Sequence, residues 1–245
     1  MSIIFDIETR PQTKALELLK SDFPNFDKDN IPIGNLKDAE KIKQKIIDAG
    51  IAHELKRAEF DNKQHKKACL DADYGMLSAI GVLHLESGER EIIDAKDESK
   101  ALATFWHYID EVRSLGQWAF GWNIEGFDIP FLLGRSRLLG VHYDPYMVIN
   151  YRYFDKCFVD LHKVWTFGSY GKFCSLKKAS KALGFQHKKL PVTGGTFYEN
   201  WESDDEASRD FASQYLIEDL EQTLLIAKAT HGVKEGEKQN DLFNA

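Results

Sequence analysis

The chain has 245 residues, 43% of them hydrophobic and 12% aromatic, enough to bury the core of one α/β domain or of one domain with an insertion. Its formal charge of −7, if evenly spread, would oppose binding to phosphate polymers, which needs local positive potential. The odd cysteine count argues against a disulfide framework, the start MSIIFDIETR meets an acid too early for a secretory leader, and no window is long enough to span a membrane. A cytoplasmic protein without membrane contact is expected.

Residues 2–7 read as a short apolar strand that delivers Asp6 and Glu8 at its end. Strand side chains alternate faces, so these two carboxylates point the same way and can grip one ion together. After Pro11 a charged stretch runs to about Asp73. Within it Asn35 and Asp38 mark a helix start. Leu36, Ala39, Ile42 and Ile46 then recur at helical spacing until Gly50 interrupts, and a second charged helix is predicted over 51–68. Segments 76–85 and 90–94, joined by Ser87-Gly88, predict a hairpin. An amphipathic helix over 99–115 and a strand over 117–122 follow, the strand running into Asn123.

Asp128 and Pro130 stand where that strand gives way to a helix over 129–139. Proline suits a first helical turn, whose free N–H groups also favour a nearby carboxylate. Asp128 is therefore either a helix cap or a carboxylate placed by the turn for a metal. A helix over 175–183 ends at Gly184. Ser203 and Glu206 form a capping box for the last helix, predicted to reach about Thr230 with Ala207, Phe211, Leu216, Leu220 and Leu224 on its buried side. Tyr215 and Asp219, four apart, lie one above the other on that helix. If Asp128 joins Asp6, Glu8 and Asp219, the result is an all-oxygen nest for hard divalent cations.

The charge is not evenly spread. From Leu161 to Leu190 there is no acid, but there are Lys163, Lys172, Lys177, Lys178, Lys181, Lys188 and Lys189, accompanied by Trp165, Phe167, Tyr170 and Phe173. Such a stretch is either a solvated helix face or a track for a nucleic-acid strand, whose bases stack on aromatic rings. From Glu199 to Glu221, by contrast, Arg209 is the lone base. No H-E-x-x-H, C-x-x-C or G-x-S-x-G is present to propose zinc or serine chemistry.

Asp6-Ile-Glu8-Thr9, Asn123-x-x-x-Phe127-Asp128 and Tyr215-x-x-x-Asp219, in that order and with Val159-Asp160-Leu161 and Ser175-Leu176 between, resemble the DEDD 3′-to-5′ exonucleases. The tyrosine form of the third motif resembles the proofreading exonuclease domain of family B DNA polymerases. The resemblance implies an α/β, ribonuclease H-like fold: a central mixed β-sheet flanked by helices, here with a charged helical insertion of about 11–74 after the first strand. A single domain over 1–232 and a flexible tail over 233–245 are expected, without the family's polymerase module. The insertion is a lid, a docking arm or a solvated helical hairpin.

By the family pattern, Asp6, Glu8, Asp128 and Asp219 would bind two ions of Mg²⁺ or Mn²⁺, and Tyr215 would orient the attacking water. Thr9, Asn123 and Phe127 would hold the terminal nucleotides, with Lys172 and Lys177 on the strand. The expected activity is hydrolysis of single-stranded DNA from its 3′ end to nucleoside 5′-monophosphates, in replication or repair. RNA trimming in the same superfamily, or a non-catalytic strand- or clamp-binding module, are the alternatives. Gln239-Asn240-Asp241-Leu242-Phe243 resembles the peptide by which bacterial proteins dock on the sliding clamp.

Overall fold

The apolar run Ile3-Ile4-Phe5 builds the central strand of the computed structural model, which describes residues 2–14, 17, 23–149, 153–169 and 173–236. Lys172, Tyr170 and the Gln239–Phe243 peptide lie outside the described residues. This strand, β1, spans Ile3–Pro11, so Asp6 and Glu8 sit in its middle and not at its end. Paired strands on both sides and covering helices on both faces let it extend, which a short apolar run alone does not reveal.

The expected hairpin forms from β2 (Gly75–His84) and β3 (Arg90–Asp94), antiparallel, with Ile80 opposite Ile93. A helix, α2, covers Glu98–Ser114 and is capped by Asp97, whose carboxylate accepts from Lys100 N. The next strand, β4 (Ala119–Gly121), lies parallel to β1 on one side and to β7 (Phe158–Asp160) on the other. The sheet order is therefore β3-β2-β1-β4-β7, a mixed five-stranded sheet. Strands β5 (Val148–Ile149) and β6 (Tyr153–Phe154) form a separate small antiparallel pair.

Helices cover both faces, and β1 shows why. Phe5 packs its ring on Phe105 of α2 at 5.0 Å. Its neighbour Ile4 faces the other way, into a cluster with Leu220 and Leu224 of the last helix, α7 (Glu206–His231). Asp6 and Glu8 share the Ile4 face. Alternation thus aims both carboxylates at the helix that carries Asp219.

Between β4 and α7 come α3 (Asp128–Leu139), α4 (Leu161–Trp165), α5 (Leu176–Ala182) and α6 (Phe197–Trp201). Arg135 of α3 grips Glu98 of α2 with two bonds of 2.7 and 2.8 Å, and Glu98 also accepts from Leu77 N at 2.9 Å. This buried pair ties two helices to β2; satisfying every polar atom is what makes such burial tolerable.

Several predicted boundaries move. The last helix is capped by Asp205, not Ser203, because Asp205 accepts from Ser208 N at 2.9 Å while the Ser203 hydroxyl accepts from Asp205 N. Its buried side begins at Ala212; Ala207 and Phe211 are exposed on the projecting first turns. The tail expected from residue 233 is held down at its start: Val233 is buried and Gly236 N donates to Leu85 O at 2.8 Å.

The chain divides into two compact units, Met1–Arg10 with Met76–Ala245, and Pro11–Gly75. In the second, a single helix, α1 (Ala39–Cys69), replaces the predicted hairpin of two helices. It runs straight through Gly50, a tolerable cost of about 1 kcal/mol within 31 residues of mostly good helix formers. Asp38 caps it, accepting from Glu40 N and Lys41 N. Phe26 lies against Gly50 and His53, and Phe23 against His53 and Phe60.

At Gly81 of β2 the last helix, α7, packs tightly on the sheet. A Cβ there would stand 2.9 Å from Leu216 Cγ and 3.2 Å from Leu220 Cδ1. Gly81→Ala is expected to cost about 1–3 kcal/mol, the usual penalty for overpacking a filled core. Chemical denaturation reads it, and activity should fall further than stability because Tyr215 and Asp219 ride on the displaced helix.

Candidate active site

Asp6, Glu8 and Asp219 converge: one ligand oxygen from each lies within 4.8 Å of the others. Glu8 is buried, while Asp6 and Asp219 keep partial access to solvent. Asp128 stands beside this group. Its carboxylate accepts from Ile7 N at 3.2 Å, so the backbone between the two β1 acids holds it.

Asp128 is the first residue of α3 and is buried; the cap position belongs to Phe127, which makes no side-chain capping bond. A sharp turn puts it there. Asn123 adopts a left-handed backbone (φ 59°). A Cβ on Gly121 would collide with Ile124 Cγ2 at 2.2 Å and press on Phe5 O at 2.9 Å, so only glycine fits where β4 turns. Asp160, at the end of β7, fastens the turn by accepting from Asn123 N (3.0 Å) and Glu125 N (3.1 Å) while capping α4 through His162 N (2.9 Å).

The electrostatics follow from this crowding. Asp6 is held well above the usual carboxylate range by burial first, then by Asp128, Asp219 and Glu8. Glu8 is raised likewise by burial, Asp219 and Asp128. Burial pushes Asp128 up to about 7, against the pull of the Ile7 N–H. Burial also pushes Asp219 up to about 7, with Glu218 adding, while the Tyr215 hydroxyl, Gln222 and Lys177 oppose. Tyr215 itself is raised far above the ordinary phenol value by burial and then by the charges of Asp219, Glu8 and Asp6. Its hydroxyl therefore stays protonated and donates to Asp219.

Four carboxylates that resist ionisation through burial and mutual repulsion, offering only oxygen, fit hard divalent cations such as Mg²⁺ or Mn²⁺. The donor set has no imidazole or thiolate to favour zinc.

Against this geometry, a family model of the RNase_H superfamily matches residues 68–231. The chain belongs to the RNase_H superfamily. Its members are generally hydrolytic nucleases, and a nuclease-type function follows for this chain. The matched span holds Asp128, Tyr215 and Asp219 and begins beyond Asp6 and Glu8. Among solved structures, the chain resembles the family B DNA polymerase from the hyperthermophilic archaeon Pyrobaculum calidifontis, with a TM-score of 0.55 and 17% identity. That likeness covers 93% of this chain and 24% of the polymerase, so this chain spans about a quarter of its length. No curated protein matches the sequence.

The fold brings the acids together; the predicted substrate contacts are more scattered. Thr9 is buried one residue beyond Glu8. The Phe127 ring leans on Phe131 at 5.6 Å, as apolar packing alone would require. The Asn123 side chain lies across Gly126, where a Cβ would meet its Oδ1 at 2.5 Å. Lys177 lines a cavity of about 370 Å³ with Tyr215, Asp219, Gln222, His187 and Glu218. Lys163 is drawn off to Glu125 at 2.6 Å.

Two residues with no role in the site expected from the sequence organise it. One is Asp160, which entered only through the Val159-Asp160-Leu161 resemblance. The other is Gln222, buried, whose amide donates to Asp219 Oδ1 at 2.8 Å while its carbonyl accepts from Ser180 Oγ at 2.9 Å. Its spacing of three from Asp219 on one helix face was the available signal. Gln222→Met is expected to weaken Mn²⁺ binding roughly tenfold, as loss of a group that orients a ligand does. Titration calorimetry measures it.

Proposed function

We propose that this protein is a metal-dependent 3′-to-5′ exonuclease that trims single-stranded DNA to nucleoside 5′-monophosphates. The observation that carries the reading is the meeting of Asp6, Glu8 and Asp219 within 4.8 Å, with the Tyr215 hydroxyl against Asp219. Asp6, Glu8, Asp128 and Asp219 would hold two divalent ions. When bound, these supply an activated water and stabilise the charge on the leaving 3′-oxygen.

The protein's own groups do the rest. Tyr215, held protonated with its one O–H on Asp219, is not a base; its oxygen accepts from the attacking water and so orients it. Gln222 fixes the Asp219 carboxylate through Oδ1. The turn at Asn123 and Phe127 and the backbone at Thr9 line the place for the terminal nucleotide, and Lys177 approaches its phosphate from α5. Docking on a sliding clamp through Gln239–Phe243 would keep the enzyme near DNA ends.

End-labelled single-stranded DNA and RNA incubated with Mg²⁺ or Mn²⁺, beside an Asp6→Ala control, tests the proposal. DNA should be degraded and the control should not degrade it. Equal degradation by Asp6→Ala would remove the site, and degradation of RNA alone would make the enzyme an exoribonuclease.

A further inference from the structure

Phe167 is 94% exposed and Phe173 76%, the two most exposed phenylalanines among the described residues. With Trp165, Thr166, Cys174 and Lys178 they line an open cavity of about 450 Å³. Water is a poor place for an aromatic ring, yet the backbone that carries Phe167 is hydrogen-bonded. Phe167 N donates to Val164 O at 3.1 Å and Gly168 N to Lys163 O at 2.9 Å, closing the end of α4. The residue is held in the left-handed region, φ 53°, where a side chain is unfavourable. Strain of this kind persists where the ring's position is used.

Phe173 is braced from behind. His162 packs on it at 5.6 Å, accepts from Cys174 N at 3.3 Å, and itself meets Trp122 edge-on at 5.3 Å. Trp122 precedes Asn123, so this row of rings starts at the strand end that carries the active-site turn. Consecutive lysines of α5 separate the two places: Lys177 lines the cavity of Tyr215 and Asp219, and Lys178 lines the aromatic one. No acid occurs in the chain between Leu161 and Leu190.

We infer that Phe167 and Phe173 form a stacking platform for nucleobases of a single strand whose 3′ end lies at the carboxylates, with Lys178 beside its phosphates. The direction of the strand rests on the nuclease reading. Every base offers a π-face, so the platform accepts any sequence, but the bases of an intact duplex are not free to stack on it.

The test is the binding of a fluorescein-labelled oligothymidylate of about 15 nucleotides to the full chain in EDTA, followed by anisotropy. The double variant Phe167→Ala/Phe173→Ala should raise Kd at least roughly tenfold, the effect of losing a stacked base. The slope of log Kd against log salt should stay unchanged, because no phosphate contact is lost, whereas Lys178→Ala should reduce it. Phe167→Gly, which relaxes the backbone, should raise the melting temperature and still lose affinity. An unchanged Kd in the double variant, or no binding by the wild type, overturns the platform. A wild type that binds through the rings yet leaves the strand intact with Mn²⁺ removes the nuclease reading alone. A wild type that trims the strand with an affinity indifferent to both rings removes the platform alone.

Discussion

Glu8→Gln should lower the rate of single-strand hydrolysis roughly a thousandfold, about 4 kcal/mol of barrier, while making the protein more stable. The two effects have one cause. Glu8 is buried among carboxylates that raise its pKa, so in the metal-free protein its charge is a liability. An amide of the same shape removes that repulsion. The same substitution removes an oxygen donor of full charge from the group that meets Asp6 and Asp219, and with it the affinity for divalent cations. Steady-state hydrolysis of end-labelled oligonucleotide and a thermal melt in EDTA measure the two. A variant less stable than the wild type, with activity retained, would mean that Glu8 is a structural acid.

Acidification should stabilise the metal-free protein. Asp128 and Asp219 are both pushed up to about 7 from an ordinary value of 3.8. A carboxylate whose folded pKa is raised contributes stability fully present below its unfolded pKa, near 4, and lost as the pH rises through about 7. Each contributes at most about 1.4 kcal/mol per pH unit across that window, less where water enters. In EDTA the melting temperature should therefore climb between pH 8 and pH 5. Mn²⁺ at about a hundred times its Kd should add roughly 2.7 kcal/mol at pH 8, and progressively less as protons compete for the same oxygens below pH 7. At this chain length each kcal/mol moves the midpoint by about 2–4 °C. A melting temperature that falls steadily from pH 8 to pH 5 in EDTA would show that the cluster is not strained by its own charge.

The facing of Asp6 with Glu8 and of Tyr215 with Asp219 was legible because each pair depends on a local period. Two residues apart on β1 fixes one face for Asp6 and Glu8; four apart on α7 fixes one face for Tyr215 and Asp219. The partners that hold them were not legible. Asp160 reaches the turn at Asn123 across a parallel strand pair, and Ser180 reaches Gln222 from another helix, contacts that no spacing in the chain announces. Helix ends shifted for a related reason: Asp205 competes with Ser203 for the cap, and only the backbone decides which oxygen faces Ser208 N. Gly50 misled because a glycine reads as a stop, yet α1 runs through it, and a Cβ there would stand 3.6 Å from the ring of Phe26, an ordinary contact.

The polarity of degradation distinguishes a 3′-to-5′ exonuclease from every other nuclease. One single-stranded DNA oligonucleotide is labelled separately at its 3′ and at its 5′ end and followed over time with Mn²⁺ at pH 8. The 3′ label should leave at the earliest times as a mononucleotide while the 5′-labelled strand shortens one nucleotide at a time. Early release of a 5′ label, internal cuts at the outset, or an intact strand at metal saturation would contradict 3′-to-5′ exonuclease action.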